Sequence, residues 1–328
     1  MPDIQQQSAY GSNNIQPIQV GDQVFYVSPD GRKVRAMQYE WSADNWLSQD
    51  LTFFSEQITE SGIKNMCWMP NPNNILMLTL NNGTVAALTY QRDQNVWGWA
   101  RASVYGDIVS SASPRRLGEN EYMFLSRHVE GKLTLAYQAT EEDGYVDAYV
   151  YQSNTEPFTV VTGLDHLEGQ RVQVLVDDIY GSTNRVLANS VDKANPSLAV
   201  HPDRVVEGGQ ITLQGEHTKA IAGLQFIPIL RTLDLATMGP EGSSLTDLKH
   251  LSSIYVGVLD TYGITINGQR PPDRNSVTPM NFREPNKTEI IEVTDIDWTQ
   301  GGTVEIRQEL PLPVQILYIG TKADIEEP

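Results

Sequence analysis

The sequence predicts a mainly β chain: partial β-propeller-like repeats followed by small β-barrel or sandwich domains, with very little helix. Three observations carry this reading. Short β-favouring runs that alternate apolar and polar residues recur along most of the 328 residues. Turn clusters rich in Gly, Asn and Pro separate them, and Asn82-Gly83 is a strong hairpin signal. The turn glycines also repeat: Gly31, Gly83 and Gly131 lie 52 and 48 residues apart. Each precedes an alternating strand that reaches a tyrosine, Tyr39, Tyr90 or Tyr137. A period near 50 with about four strands per unit is what a propeller blade requires.

In chain order, the first strands are expected from Gln23 to Val27 and from Arg32 to Tyr39, around the turn Ser28-Pro29-Asp30-Gly31. Lys64 to Met69, Ile75 to Leu80, Thr84 to Tyr90 and Val96 to Ala102 form the next group. Ile108 to Ser113, Glu121 to His128 and Leu133 to Gln138 form a third. Residues 1–158 therefore read as a partial β-propeller of about three blades. Closure takes at least about four, so the missing blades are expected N-terminal to this chain, on a partner subunit or in another gene product.

After Pro157 the texture changes. Residues 159–225 read as a small β domain. Its strands are Phe158 to Val161, Arg171 to Val176, Arg204 to Val206, Gln210 to Leu213 and Ala220 to Leu224, with a polar loop from Asp177 to Asn195. Residues 226–328 read as a C-terminal β-sandwich-like domain. Ile254 to Leu259, Glu289 to Val293, Thr303 to Gln308 and Val314 to Ile319 are its strands, and Pro311 and Pro313 bracket a strand entrance. Leu245 to Leu251 is the best short-helix candidate.

Charge narrows the function. The chain holds 41 acidic and 23 basic residues, a net −18. The excess is spread evenly, 18 acids against 10 bases in residues 1–158 and 23 against 13 in residues 159–328. Such a body is unsuited to gripping nucleic acid by its phosphates, which needs clustered Lys and Arg. A single cysteine, Cys67, excludes an internal disulfide and any multi-cysteine metal site. It sits in Met66-Cys67-Trp68-Met69 and reads as a buried, inert thiol. No apolar run approaches the ~18 residues that span a bilayer. Met1 to Gln7 has neither the basic region nor the apolar core of a signal peptide.

Catalytic signatures are sparse. His128, His166, His201, His217 and His250 show no metal-ligand spacing and read as surface or structural histidines. Neither a phosphate-binding loop nor a G-x-S-x-G elbow is present. The acidic groups Glu141-Glu142-Asp143 and Asp177-Asp178 could serve a glycosidase, which needs two carboxylates across a sugar, but both read as solvated loop charges. Asn82-Gly83-Thr84 and Asn286-Lys287-Thr288 match glycosylation acceptors, which matter only in a secreted chain. Trp41, Trp46, Trp68, Trp97, Trp99 and Trp298 could stack on sugars or fill the space between sheets. The expectation is no catalytic, cofactor-binding or metal residue, and no cofactor.

Several stretches carry a resemblance. They are Val24-Phe25-Tyr26-Val27 with Gly31-Arg32-Lys33-Val34-Arg35, then Ser48-Gln49-Asp50-Leu51-Thr52, and the long run from Asn82-Gly83-Thr84 to Trp97-Gly98-Trp99. Gly163-Leu164-Asp165-His166-Leu167-Glu168-Gly169 and Leu310-Pro311-Leu312-Pro313 complete the set. In this order they span most of residues 20–319, and they resemble the tail nozzle or hub family of short-tailed bacteriophages (podoviruses), in its C-terminal part. Members usually begin with a further N-terminal region. The resemblance implies a non-enzymatic virion protein, made in the bacterial host cytoplasm and assembled as a homohexameric ring. That ring would contact tail adaptors and tail fibre or spike proteins and pass DNA without specific binding. Two alternatives are a host-surface glycan-binding tail protein, with propeller loops as the receptor surface, and a tail-associated glycan hydrolase.

Overall fold

The structure is a computed structural model that describes residues 9–42, 44–71, 74–102, 107–111, 115–117, 120–122, 124–129, 132–137, 145–177, 198–236, 238–239, 242–244, 247–272, 287–299 and 301–325. It is mainly β, as the sequence predicts, and its strands form several small antiparallel sheets. No α-helix occurs among the described residues; 3₁₀ turns lie at Arg92–Gln94 and Asp165–Leu167, and Ser244 is also in a 3₁₀ conformation. The chain divides into two units, residues 1–140 and 141–328.

The first unit opens with two meanders of four strands. β1 (Ile18–Val20), β2 (Gln23–Val27), β3 (Val34–Glu40) and β4 (Asn45–Asp50) pair in sequence order. So do β5 (Ile63–Met69), β6 (Ile75–Leu80), β7 (Val85–Gln91) and β8 (Val96–Ala102). Tight turns impose this order. Gly31 and Gly83 adopt φ of 73° and 81°, a left-handed conformation that glycine takes without steric cost. Next come β9 (Asp107–Ser111), the short hairpin β10 (Arg115–Leu117) and β11 (Asn120–Tyr122), then β12 (Phe124–Val129) and β13 (Lys132–Tyr137). β12 pairs with both β9 and β13. Gly131, the third turn glycine of the repeat, lies outside the described residues.

One apolar core joins the two meanders. Phe25, Val27, Val34 and Ala36 of the first pack against Met66, Leu76, Leu78, Leu88 and Tyr90 of the second. Phe25 meets the rings of Trp68 and Tyr90 edge-on, with centroids 6.1 and 5.1 Å apart, a favourable aromatic geometry. The second meander buries its other face too, through Cys67, Met69, Met77 and Val85. That double burial explains the unbroken apolar run Ile75-Leu76-Met77-Leu78, since a strand covered on both sides loses its alternation. Backbone ties reinforce the packing: the Trp99 indole donates to the Leu51 carbonyl at 2.7 Å and the Ile63 amide to the Gly31 carbonyl at 2.7 Å.

In the second unit, β14 (Asp147–Thr162), β15 (Arg171–Asp177), β16 (Leu198–Val205) and β17 (Gln210–Leu224) form one sheet in the order β14-β17-β15-β16. β18 (Ile229–Arg231) and the two-residue pair β19 (Met238–Gly239) and β20 (Gly242–Ser243) follow. The unit is completed by β21 (Lys249–Val258), β22 (Ile264–Ile266), β23 (Ile290–Thr299), β24 (Glu305–Gln308) and β25 (Ile316–Ile325). Sheets β18-β24-β22 and β23-β21-β25 close over a core of Leu251, Ile254, Val256, Ile264, Ile266, Val293 and Ile306. Leu310 and Leu312, from the Leu-Pro-Leu-Pro stretch, pack with Val146, Leu175 and Ile221, fastening this pair of sheets to the four-stranded one.

One expectation changes here. Of the helix expected from Leu245 to Leu251, Leu245 and Thr246 lie outside the described residues, and the rest is overturned, because Lys249 to Leu251 begin β21. Buried Lys249 and Leu251 alternate there with half-buried His250 and Ser252, the period of a strand. The domain boundary expected at residue 158 falls inside the continuous strand β14, and the one expected at residue 225 falls within the second unit.

Candidate functional site

β3 and β4 meet in a hairpin whose end carries three aromatic side chains. Tyr39 and Trp46 are directly opposed in the register, and opposed residues share a face of an antiparallel pair. Trp41, two residues beyond Tyr39, extends past the last pair. The Tyr39 ring contacts Trp41 with centroids 5.5 Å apart at 86° and Trp46 at 5.6 Å and 66°. Trp41 is nevertheless 86% exposed. Polar groups fix the turn: the Tyr39 hydroxyl donates to the Asp44 carboxylate, and the Ser42 hydroxyl donates to Glu40 Oε1 at 2.8 Å. The Asp44 carboxylate holds the Tyr39 phenol above its ordinary range, and the Ser42 bonds hold the Glu40 carboxyl below its own. The result is an exposed indole face on a hairpin end that carries two negative side chains.

A second cluster lies in the four-stranded sheet of the second unit. β17 bulges between the residues paired with β14 at Phe158 and Val160, and Gly215 in that bulge has φ of 87°. Asp177, at the end of β15, is buried. Its Oδ1 accepts the backbone N–H groups of Thr218 and Lys219 at 2.9 Å each, and the Thr218 hydroxyl donates to Oδ2. The expectation of a solvated loop charge is therefore corrected for Asp177: its carboxylate holds backbone where the bulge re-enters the sheet. His217 lies with Nδ1 2.6 Å from the Asp177 carbonyl and Nε2 3.0 Å from the Gln214 carbonyl. His201 accepts the Gln214 N–H at Nε2, 2.8 Å away, which places its proton on Nδ1 facing the Pro202 carbonyl. Burial depresses the basicity of His201. The arrangement clamps a bulge.

Of the remaining candidates, Cys67 is buried and its thiol is pushed up to about 11 by desolvation, which makes it a poor nucleophile at neutral pH. His166 bonds the Ala148 carbonyl at 2.7 Å, and His250 stacks at a tilt on Trp298. Trp68 and Trp99 pack against the core, while Trp97 and Trp298 are partly exposed. Asn82 caps its turn by accepting from the Thr84 amide and hydroxyl. The side chain of His128, and all of Glu141, Glu142, Asp143, Asp178 and Asn286, lie outside the described residues.

No cluster of three metal-ligating side chains occurs among the described residues, nor does any helix long and apolar enough to cross a membrane. A cleft lined by Thr261, Gly263, Ile264, Pro271, Lys287 and Ile291 has room for about one water. The sequence does not mark the aromatic hairpin, because Trp41 and Trp46 stand among six tryptophans and the apolar residues of β4 show weak alternation. No protein-family model matches the chain, and no curated protein matches it.

Proposed function

We propose that this chain is a virion structural protein, a subunit of the ring-shaped tail nozzle of a short-tailed bacteriophage, located at the tail tip and forming part of the channel for DNA ejection. The observation that carries this reading is the succession of two four-stranded meanders, β1–β4 and β5–β8, whose turn glycines lie 52 residues apart and which share a core. Successive antiparallel four-stranded sheets are the unit of a propeller. In this reading β9, β12 and β13 belong to a third blade, and further sequence or another chain supplies the rest.

The stretches that resemble nozzle proteins also fall on architecture. Asn82-Gly83-Thr84 is the β6–β7 turn, and Leu310 and Leu312 plug a core. Within Gly163 to Gly169, Leu164 and Leu167 are fully buried, while Glu168 accepts the N–H groups of Gly208 and Gly209. Motifs of this kind support a structural role. The charge supports it as well: six copies of a chain at −18 give a strongly negative ring, which repels phosphate and lets DNA pass without sticking. Tail adaptors and tail fibre or spike proteins are the partners this role requires.

Electron microscopy of virions bearing a tagged copy of this chain tests the reading. Six copies around the distal tail channel are expected. A copy located on the capsid or on lateral fibres alone would overturn it.

A further inference from the structure

We propose that the β3–β4 hairpin end is a saccharide-binding site in which the exposed face of Trp41 stacks on a neutral sugar and the Asp44 carboxylate accepts its hydroxyls. The proposal does not rest on the tail-nozzle reading.

The placement of Trp41 is the first argument. An indole left 86% exposed forgoes the burial that normally stabilises a residue of its size. Yet it is not loose, because Tyr39 braces one side edge-on at 5.5 Å and is itself braced by Trp46 at 5.6 Å. Braced and exposed aromatic surface is characteristic of a binding face rather than of scattered surface apolarity. Little further ordering remains for a ligand to impose on it.

The ligand class follows from the surrounding chemistry. The face of an aromatic ring is electron-rich and attracts polarised C–H bonds, which one face of a pyranose presents as a flat array. Sugar hydroxyls need fixed acceptors, and the Asp44 carboxylate is fixed at the hairpin end by the Tyr39 hydroxyl that donates to its Oδ1, while an ionised carboxylate has capacity to accept further hydrogen bonds. Glu40 and Asp44 give the turn two negative charges, which disfavours nucleic acid, phosphorylated glycans and anionic bilayers. An aromatic cage for a quaternary ammonium is not what these rings build, because Tyr39 meets Trp41 and Trp46 directly in edge contacts, so no cation fits between the rings of either pair.

The test is a glycan array of neutral, sialylated and phosphorylated oligosaccharides probed with the full chain, followed by titration of the best-retained neutral oligosaccharide. Retention on neutral glycans is expected. Trp41→Ala should weaken it at least tenfold, Trp41→Phe should keep most of it, and Trp97→Ala, on β8, should leave it unchanged. Because Trp41 contributes little to the core, circular dichroism should show the same fold in every variant. The proposal is overturned by no retention on any neutral glycan, by equal binding in Trp41→Ala, or by stronger retention on acidic glycans. Trp41-dependent binding to phosphatidylserine vesicles without neutral-glycan retention would overturn it equally, in favour of a lipid surface.

Discussion

The Tyr90 hydroxyl donates to the side-chain carbonyl of Gln23 at 2.6 Å, joining residues 67 positions apart across the core shared by the first two meanders. Both side chains are buried, and the Gln23 amide is already used, donating to Gln38 Oε1 at 2.7 Å. Tyr90 also packs edge-on against Phe25. Tyr90→Phe would keep that ring contact and leave the Gln23 oxygen without its donor. A buried acceptor stripped of its partner costs about 1–3 kcal/mol. Urea denaturation should show the midpoint falling with no change of slope. An unchanged midpoint would mean that the bond adds nothing to the union of the two sheets.

Much of the first unit was legible in the sequence because its strands carry their own signals. Ile75 to Leu80 and Val96 to Ala102 match β6 and β8 to the residue, each preceded by an asparagine in the left-handed conformation, Asn74 and Asn95, turn chemistry that is local. β4 was missed: it is a half-exposed edge strand in which Trp46, Ser48 and Asp50 mark its more buried face, so apolarity does not reveal the alternation. The length of β17 was missed for another reason. Its bulge around Gly215 looks in sequence like a loop between two strands, and only the clamp formed by Asp177, His201 and His217 restores continuity. The aromatic hairpin depends on β3 pairing with β4, so it becomes a site only once that register is known.

Gly223 on β17 is a sensitive point of the second unit. A Cβ there would lie 2.7 Å from the Asp147 carbonyl oxygen and 2.8 Å from the Tyr149 Cβ, both on or near the backbone of β14 and unable to swing aside. Gly223→Ala should therefore destabilise the protein by about 1–3 kcal/mol, the usual cost of overpacking. Gly98→Ala is the control, because a Cβ on Gly98 meets nothing within 4 Å, and its stability should be unchanged or slightly raised. Chemical denaturation of both variants against the unmodified chain measures the contrast.

Glu168 gives a pH-dependent prediction. Its carboxylate accepts the amides of Gly209 at 2.7 Å and Gly208 at 2.9 Å, and these bonds hold it below the ordinary Glu range. A carboxyl with a depressed folded-state value adds stability above its unfolded value, near 4.3. That stability disappears as pH falls through the folded value. Glu168→Gln should lower the thermal midpoint at pH 7, and the gap between variant and parent should narrow steadily below about pH 4. A gap independent of pH would show that the carboxylate charge is not what holds this turn.

His201 predicts a second acid-sensitive step at higher pH. Its Nε2 accepts the Gln214 N–H at 2.8 Å, so protonation there would set two donors against each other inside a buried part of the sheet. Burial accordingly keeps its folded-state value below the ordinary histidine range. For such a group the unfolded chain takes up the proton first. The contribution to stability is complete above the unfolded value, about 6.5, and declines as pH falls below it. Gln can present a carbonyl oxygen to the Gln214 N–H without a proton to gain. His201→Gln should thus lose less stability than the parent between pH 7 and pH 5, even if it starts lower. Hydrogen exchange at the Gln214 amide should rise with acid in the parent and stay level in the variant; parallel behaviour in both would refute the role assigned to His201.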